Sequence, residues 1–356
     1  MVCGEPSDSS ARSRLETRLV AADDSAWLEF VGAQSAATPF HHVSWTRLLE
    51  ECYGYRSFAL VVHDASGRIA GGLPIVDVVR RRSRRRWVSL PFTDHFPPLV
   101  TTPAVVSELP QLLDATRREH EVSSLVVRDR LSDRVAHVDN SSVRHTLALP
   151  EDFDAAAKGF VPPLHRNLRR ASKVGLQVRP FESEADVIDG FYPIHLATRR
   201  RLGVPIQPRR LFRLVWRHLL ESGLGFGLLV SSEQGPVAAG IFLAWNGTVV
   251  CKYSASYREA WPSRPNDLMF ASAIRWGIDH ECHTFDFGRT DVEASGLRRF
   301  KRGFGAIESP ASVSTLGVVP SGRLRHALEA GMVPVLQRAP SFVTRATGEL
   351  FYRYAA

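Results

Sequence analysis

The chain has 356 residues, 44% of them hydrophobic and 23% charged, with a formal net charge of +8 and a pI near 9.7. That length suits two ordinary domains or one large one, the composition is that of a soluble globular protein, and the positive excess favours an anionic partner: a nucleic acid, a phosphorylated small molecule or a membrane surface. Four cysteines without CxxC spacing argue against a disulfide framework and for a reduced, cytoplasmic setting; no run of about 18 apolar residues suggests a membrane span, and the polar start MVCGEPSDSSARSRLE lacks the apolar stretch of a secretory signal.

In chain order, residues 1–18 read as a disordered N-terminus and 19–150 as a first domain. His41 and His42 precede a helix, WTRLLEECYGY, that Gly54 stops. ALVVHDASGRIAGGLPIV, from Ala59, is an aliphatic strand, a turn ending in Gly67 and a second strand with small residues at its start. RRRSRRRW, Arg80 to Trp87, puts six arginines at a hairpin tip, either a grip on phosphates or a solvated end. In SLPFTDHFPPL, Asp94 follows a strand and precedes two prolines. Its carboxylate is either a turn-former bonding its own backbone or an acceptor for a proton from an attacking amine.

The stretch 134–152 is the expected junction, and 151–317 a second domain. HRNLRRASK begins a helix with Arg166, Arg169 and Arg170 on one face, a cationic structural helix or a binder of phosphorylated ligands. Two helices follow, their apolar stripes carried by Val187, Ile188, Phe191 and Ile194 and by Leu211, Phe212, Val215 and Leu219. GLLVSSEQGPVAAGIFLA, from Gly227, then repeats the first hairpin without a gap over eighteen positions, Gly67 answering to Gly235 and Gly72 to Gly240. A duplicated fold explains this. Asn246-Gly247 turns into the strand TVVCKYSAS, which carries Tyr253 and Ser254, with Tyr253 read as a half-buried packing residue. A helix starts near Asn266, and TFDFG is a further strand. The cluster His280, Cys282 and His283 lacks a fourth ligand at a usual spacing, so no metal is expected. The strand TFDFG breaks at Gly288 and runs out into a loop that carries Lys301 between an aromatic and further arginines, ahead of Gly303 and Gly305. Residues 318–356 read as a helical tail without obvious chemistry. The fold class is α/β (α+β), each half a mixed, largely antiparallel sheet flanked by helices.

HRNLRRASKVGLQV, FYPIHLATRRRLG, VAAGIFLAWNG and FDFGRTDVEASGLRRFKRGFGA, with FHHVSWTRLLEECYGY and SLPFTDHFPPL in the first half, together resemble the Fem-type (FemAB-like) aminoacyl and acyl transferases, over roughly residues 20 to 310. The resemblance implies two tandem acetyltransferase-like (GNAT) domains and transfer of an acyl or aminoacyl group to a primary amine. The donor would be an aminoacyl-tRNA, as in the peptidoglycan-bridge enzymes, or an acyl-CoA. It implies that the Phe-Lys pair, here Phe300 and Lys301, lies at the reacting centre, where the lysine stabilises negative charge. Attack of an amine on an ester builds an oxyanion that a fixed cation in a dry cleft stabilises, and Phe300 would hold the cation or stack on a base. Arg166, Arg169 and Arg289 are then candidates for anionic parts of donor or acceptor, with Tyr253 and Asn266 lining the cleft. No tightly bound cofactor is implied; the partners are a small-molecule or cell-wall-precursor amine, a tRNA and an anionic membrane surface. One departure bears on the donor: YREAWPSRPND, Tyr257 to Asp267, has no glycine where CoA-binding acetyltransferases carry a glycine-rich loop before a helix. Fem-type enzymes share that loss, which favours the aminoacyl-tRNA. The alternatives are an acyl-CoA N-acyltransferase of the same fold and a non-catalytic scaffold that binds polyanions.

Overall fold

A computed structural model describes residues 15–80 and 84–319, together with Gln337. In the first half run β1 (Glu16–Ala21), α1 (Ser25–Gly32), α2 (Val43–Tyr53), β2 (Arg56–His63), β3 (Ile69–Arg80), β4 (Arg84–Val88), β5 (Leu99–Val100), α3 (Pro103–Glu119), β6 (Ser124–Val127) and β7 (His137–Asp139). The second half comprises β8 (Ser142–Ala148), α4 (Phe153–Lys158), α5 (Pro162–Lys173), β9 (Gln177–Pro180), α6 (Tyr192–Leu202), α7 (Arg209–Val215), β10 (Gly225–Ser232), β11 (Gly235–Trp245), β12 (Thr248–Ser256), α8 (Pro265–Asp279), β13 (Thr284–Asp291), α9 (Ser295–Arg302), β14 (Ile307–Pro310) and β15 (Val313–Gly317). Single π-helical stretches lead into α6 (Asp186–Phe191) and out of α7 (Trp216–Leu220). Glycines at φ +71 (Gly54) and +69 (Gly203) end α2 and α6, where a left-handed residue lets the chain leave the helix.

The strands form two sheets with one grammar. The first has the order β1-β2-β3-β4-β6-β15-β7, with β5 also pairing β3; the second has the order β14-β8-β13-β12-β11-β10-β9. Read from β1 and from β9, the pairings are antiparallel three times, then parallel (β4 with β6, β12 with β13), then antiparallel to the end. The duplication read from the two hairpins therefore extends to whole sheets, and the fold is two tandem mixed α/β units, as expected.

Each sheet also borrows a strand. β8 follows directly on β7 yet pairs with β13 and β14, and β15 follows β14 yet pairs with β6 and β7. The strand at 142–148, ahead of the expected boundary at 150, thus lies in the second sheet, and the strand at 313–317 completes the first. The core is shared as well. One apolar cluster runs from Trp45, Leu48 and Leu60 of the first half into Phe191, Phe212 and Ile241 of the second. The second sheet packs its other face, through Phe242, Phe285 and Phe287, against Phe270 and Ile274 of α8. With each large buried apolar side chain contributing about 1.5–3 kcal/mol, this common core fixes the two halves against each other.

The hairpins differ in one respect that the gapless alignment hides. Val61 faces Gly72, whereas Leu228 faces Gly240, a slip of one residue. The first turn closes over 64–68, where the Asp64 side chain takes the N–H groups of Ser66 and Arg68, and the second closes over two residues. Helices lie directly on the small residues: a Cβ on Gly72 would sit 2.9 Å from Trp27, and one on Gly240 3.0 Å from the Met269 sulfur.

Three expectations are corrected. Glu16, Thr17 and Arg18 are not disordered but pair with His63, Val62 and Val61 at the edge of the first sheet, because the alternating TRLVA segment can hydrogen-bond the free side of β2. The strand at TFDFG does not break at Gly288: it continues to Asp291, with Gly288 at φ +72 in a register shift between Asp286 and Arg289. Ser295–Arg302 is a helix and not a loop. The arginine-rich tip is a β3–β4 hairpin, in which Arg80 pairs with Arg84 and Arg85 bonds Asp77 at 2.6 Å. Residues 81–83, residues 1–14 and the expected helical tail from 320 onward, Gln337 apart, lie outside the described residues. No described helix is long and apolar enough to cross a membrane.

Candidate active site

The site begins where two parallel strands part. β12 and β13 pair only from Thr248 with Thr284 to Val250 with Asp286. Beyond that they separate, and a cleft of about 320 Å³ opens between them. Two local irregularities shape it. On β12, Ile241 of β11 faces Tyr253 and Phe242 faces Cys251, so Lys252 is the extra residue of a β-bulge. A bulge re-aims side chains at the cost of one ladder position, and here Cys251 and Lys252 both line the cleft. On β13, the left-handed Gly288 turns its neighbours so that Phe287 and Arg289 also line it.

Helix α9 brings Leu297, Phe300 and Lys301, three and four residues apart, to one wall. Lys301 is only 4% exposed. Its Nζ donates to the Gly288 carbonyl at 2.8 Å and the Arg289 carbonyl at 3.3 Å. Burial pushes its pKa below the ordinary lysine value, against the opposing pull of Cys251, Asp94 and Asp286. Arg298, one turn back, grips Glu308 of β14 through Nε at 2.9 Å and Nη2 at 2.7 Å and so pins the helix. Phe300 packs edge-on against Phe270 and Phe304, at 5.5 and 5.2 Å between ring centres. It borders the cleft as part of an aromatic cluster, and the Lys301 ammonium is held by carbonyls.

The opposite wall comes from the first half. The segment 89–98, SLPFTDHFPP, is tied down by Thr93 Oγ1 to the Leu90 carbonyl at 2.6 Å and by Phe96 N–H to the Arg128 carbonyl at 2.9 Å. Within it Leu90 and Phe92, neither a glycine, adopt φ of +42 and +62. Residues so held store strain that surrounding contacts must offset, a pattern common at functional sites. Two of those contacts cross to the second half: Lys252 Nζ donates to the Phe92 carbonyl, and Asp94 Oδ2 accepts the Arg289 N–H at 3.3 Å. The Lys252 ammonium also lies 5.4, 5.2 and 5.1 Å from the ring centres of Phe40, Trp45 and Tyr253. Burial lowers its pKa, and Asp94 acts in the opposite direction.

The mouth gathers around Ser256 at the end of β12. Its Oγ accepts from Trp261 Nε1 at 2.9 Å and from Asn266 Nδ2 at 3.1 Å. Its carbonyl accepts from Thr198 Oγ1 at 3.2 Å and Arg201 Nη1 at 3.3 Å, both on α6. The glycine-free segment coils into a 3-10 turn, Arg258–Ser263, and leaves it through Arg264 at φ +67 before Pro265 starts α8.

Of the residues singled out from the sequence, Asp94, Asn266, Arg289, Phe300 and Lys301 come together on this cleft. Arg166 and Arg169 do not line it; they are exposed on α5, which packs on α8, with Asn167 Nδ2 bonding Asp267 at 3.0 Å. Tyr253 is turned away by the bulge and packs on Phe212 and His195, at 5.3 and 5.6 Å, so it is a core residue and not a cleft-lining one. His280, from the DHECH stretch, stacks on Trp276 at 3.8 Å. Sequence reasoning missed Lys252, Arg201 and Trp261. A lysine inside the apolar run VVCKYSAS was the available signal for the first.

The cleft also constrains Gly288, whose carbonyl holds Lys301. A Cβ on Gly288 would lie 2.6 Å from Asp94 Oδ2, and its φ of +72 disfavours any other residue. Gly288→Ala is expected to destabilise the fold by about 1–3 kcal/mol and to displace the Asp94 carboxylate, lowering transfer about tenfold or more. Thermal unfolding and rate measurements check this, and in the double variant with Asp94→Asn the two rate losses should fail to add.

No curated protein matches the chain. Residues 163–302 match the family described as acetyltransferase (GNAT) domain. Among solved structures, a crystal structure of FemX superimposes with a TM-score of 0.65 at 14% identity, over 88% of this chain and 100% of that one. The C-terminal domain of a putative lysylphosphatidylglycerol synthetase from Agrobacterium fabrum aligns with a TM-score of 0.51 at 14% identity, over 87% of this chain and 95% of that one. L-PGS from Bacillus licheniformis gives 0.50 at 14%, over 90% and 98%. By its matched domain and its architecture, the chain carries a GNAT domain over residues 163–302 within a tandem GNAT-like fold of the kind seen in FemX.

Proposed function

We propose that the chain moves an acyl or aminoacyl group onto a primary amine in the cleft between β12 and β13, with an aminoacyl-tRNA as preferred donor and an acyl-CoA as the alternative. The observation that carries this reading is Lys301: a buried ammonium that lines the cleft and is held by two carbonyls where the strands part. The acceptor amine attacks the carbonyl carbon, a C–N bond forms, and the carbonyl oxygen becomes an oxyanion beside Lys301. As the tetrahedral intermediate collapses, the ester or thioester bond breaks and the leaving group takes up the proton that the amine gives up. Asp94, across the cleft, is placed to receive that proton in transit. Phe300 borders the donor, Asn266 and Arg289 hold its polar parts, and Arg166 and Arg169 meet its anionic remainder outside the cleft. The acceptor is a small molecule or a cell-wall precursor bearing an amine.

The donor preference rests on the glycine-free segment at 257–267, whose two prolines, Pro262 within the turn and Pro265 at the start of α8, offer no N–H to a pyrophosphate. Calorimetric titration with acetyl-CoA, beside incubation with charged tRNA and an amine acceptor, tests it. No saturable CoA site together with aminoacyl transfer from tRNA is the expected result. A low-micromolar acetyl-CoA site that supports turnover overturns the donor preference, and RNA binding without turnover from either donor overturns the transferase reading.

A further inference from the structure

At the mouth of the cleft an indole is left partly exposed to solvent. Trp261 lines the cleft and is 41% exposed, in a fold whose Trp27, Trp45 and Trp87 are fully buried. Its edge is fixed by the Nε1 bond to Ser256 Oγ. The Arg201 guanidinium lies 4.7 Å from its ring centre and is held in turn by the Ser256 carbonyl. One residue thus positions two flat groups, an aromatic ring and a guanidinium, from its two ends. Such a pair, fixed in advance and open to solvent, offers stacking surface to a planar ring with little ordering cost. The rest of the lining says what else the ligand carries. Lys252, Lys301, Arg201 and Arg289 face Asp94 alone among acidic residues of the cleft, so a flat ring joined to negative charge is favoured. A nucleotide meets both demands.

We propose that Trp261 and Arg201 form a stacking seat for the adenine ring at the nucleoside end of the donor. This rests on the transferase reading only in naming the source: coenzyme A and the 3′ end of a charged tRNA both present an adenosine. Ser256 is the keystone of the seat, since its hydroxyl, already accepting two N–H bonds, keeps its own proton to give.

The test is calorimetric titration of the intact chain with adenosine 5′-monophosphate, with cytidine 5′-monophosphate and inorganic phosphate beside it. Saturable binding is expected for the purine nucleotide, weaker binding for the pyrimidine and none for phosphate. Trp261→Ala should weaken it about tenfold, and Trp261→Phe, which keeps a ring, by about threefold or less. Circular dichroism on each variant separates a lost seat from a lost fold. Equal affinity for the three probes, or no effect of Trp261→Ala in a folded protein, overturns the proposal. Raised KM for acetyl-CoA in Trp261→Ala assigns the seat to a CoA donor; raised KM for a charged RNA hairpin with a single-stranded 3′ end assigns it to tRNA. Transfer without nucleotide binding removes the seat and leaves the transferase. Nucleotide binding without transfer from either donor does the reverse.

Discussion

Lys301→Met is expected to lower the rate of transfer about 100- to 1000-fold, the loss seen when one donor to an oxyanion is removed. Its effect on stability should be small by comparison, because two terms oppose each other. The variant removes a buried ammonium, which relieves its desolvation. It also takes a donor from the Gly288 and Arg289 carbonyls, at about 1–3 kcal/mol for buried groups left unpaired. The rate would therefore fall far further than the folded fraction could. A rate within about threefold of wild type would remove Lys301 from the chemistry, and loss of folding would make it a structural lysine.

The same residue sets a pH dependence. Only the charged ammonium stabilises an oxyanion, and burial holds the Lys301 pKa below the ordinary lysine value of about 10.4. Activity should therefore be lost as pH rises through that lowered value, earlier than for an exposed lysine. The stability trend has the opposite sign. Between the folded and the ordinary value the unfolded chain binds more protons, so the Lys301 contribution to stability rises with pH, and its cost is fully present below the folded value. Lys301→Met should abolish both effects, which separates this titration from those of Lys252 and the cysteines.

Much of this was legible from the amino-acid order, and the misses share one cause. The hairpins at 59–76 and 227–244 declare themselves because an aliphatic run and a turn glycine are local signals. The stop glycines 54 and 203 are local in the same way. SGLRRFKR lies between Gly288 and Gly303 and looks like a loop, but Leu297, Phe300 and Lys301 share a helical face whose meaning depends on the cleft beneath it. Tyr253 was placed on the cleft by the family resemblance, beside a packing reading, and the structure packs it. Which way it faces depends on the bulge at Lys252, and a bulge is defined by the partner strand, which the sequence does not reveal. The exchange of β8 and β15 between sheets is likewise a matter of pairing across more than a hundred residues. What a residue does alone was readable; what depends on its cross-strand neighbour was not.

Lys252→Met should lower transfer about 100-fold without touching the oxyanion cation, and the reason lies in the first half. Methionine can keep the packing against Phe40, Trp45 and Tyr253, but it cannot donate to the Phe92 carbonyl. The left-handed Leu90 and Phe92 cost about 1–3 kcal/mol each where nothing compensates, so a segment that loses this bond relaxes and carries Asp94 with it. A displacement of about 1 Å at such a group is worth about 100-fold in rate. Amide exchange reads the cause directly. The Arg289 N–H is bonded to Asp94, so Lys252→Met should speed its exchange along with that of residues 89–96, while β10 and β11 stay protected. Asp94→Asn, which weakens only the last link, should speed Arg289 and leave 89–93 as they were. Lys252→Arg, which keeps a donor, should recover part of both the rate and the protection. If exchange and rate are unchanged in Lys252→Met, the bonds of Thr93 and Phe96 hold the segment by themselves, and Lys252 is a buried charge the cleft tolerates. If they change together, the two halves are coupled through one lysine. The strand that the bulge interrupts then does for the first half what α9 does for the second: it sets a charged group at the point where β12 and β13 part.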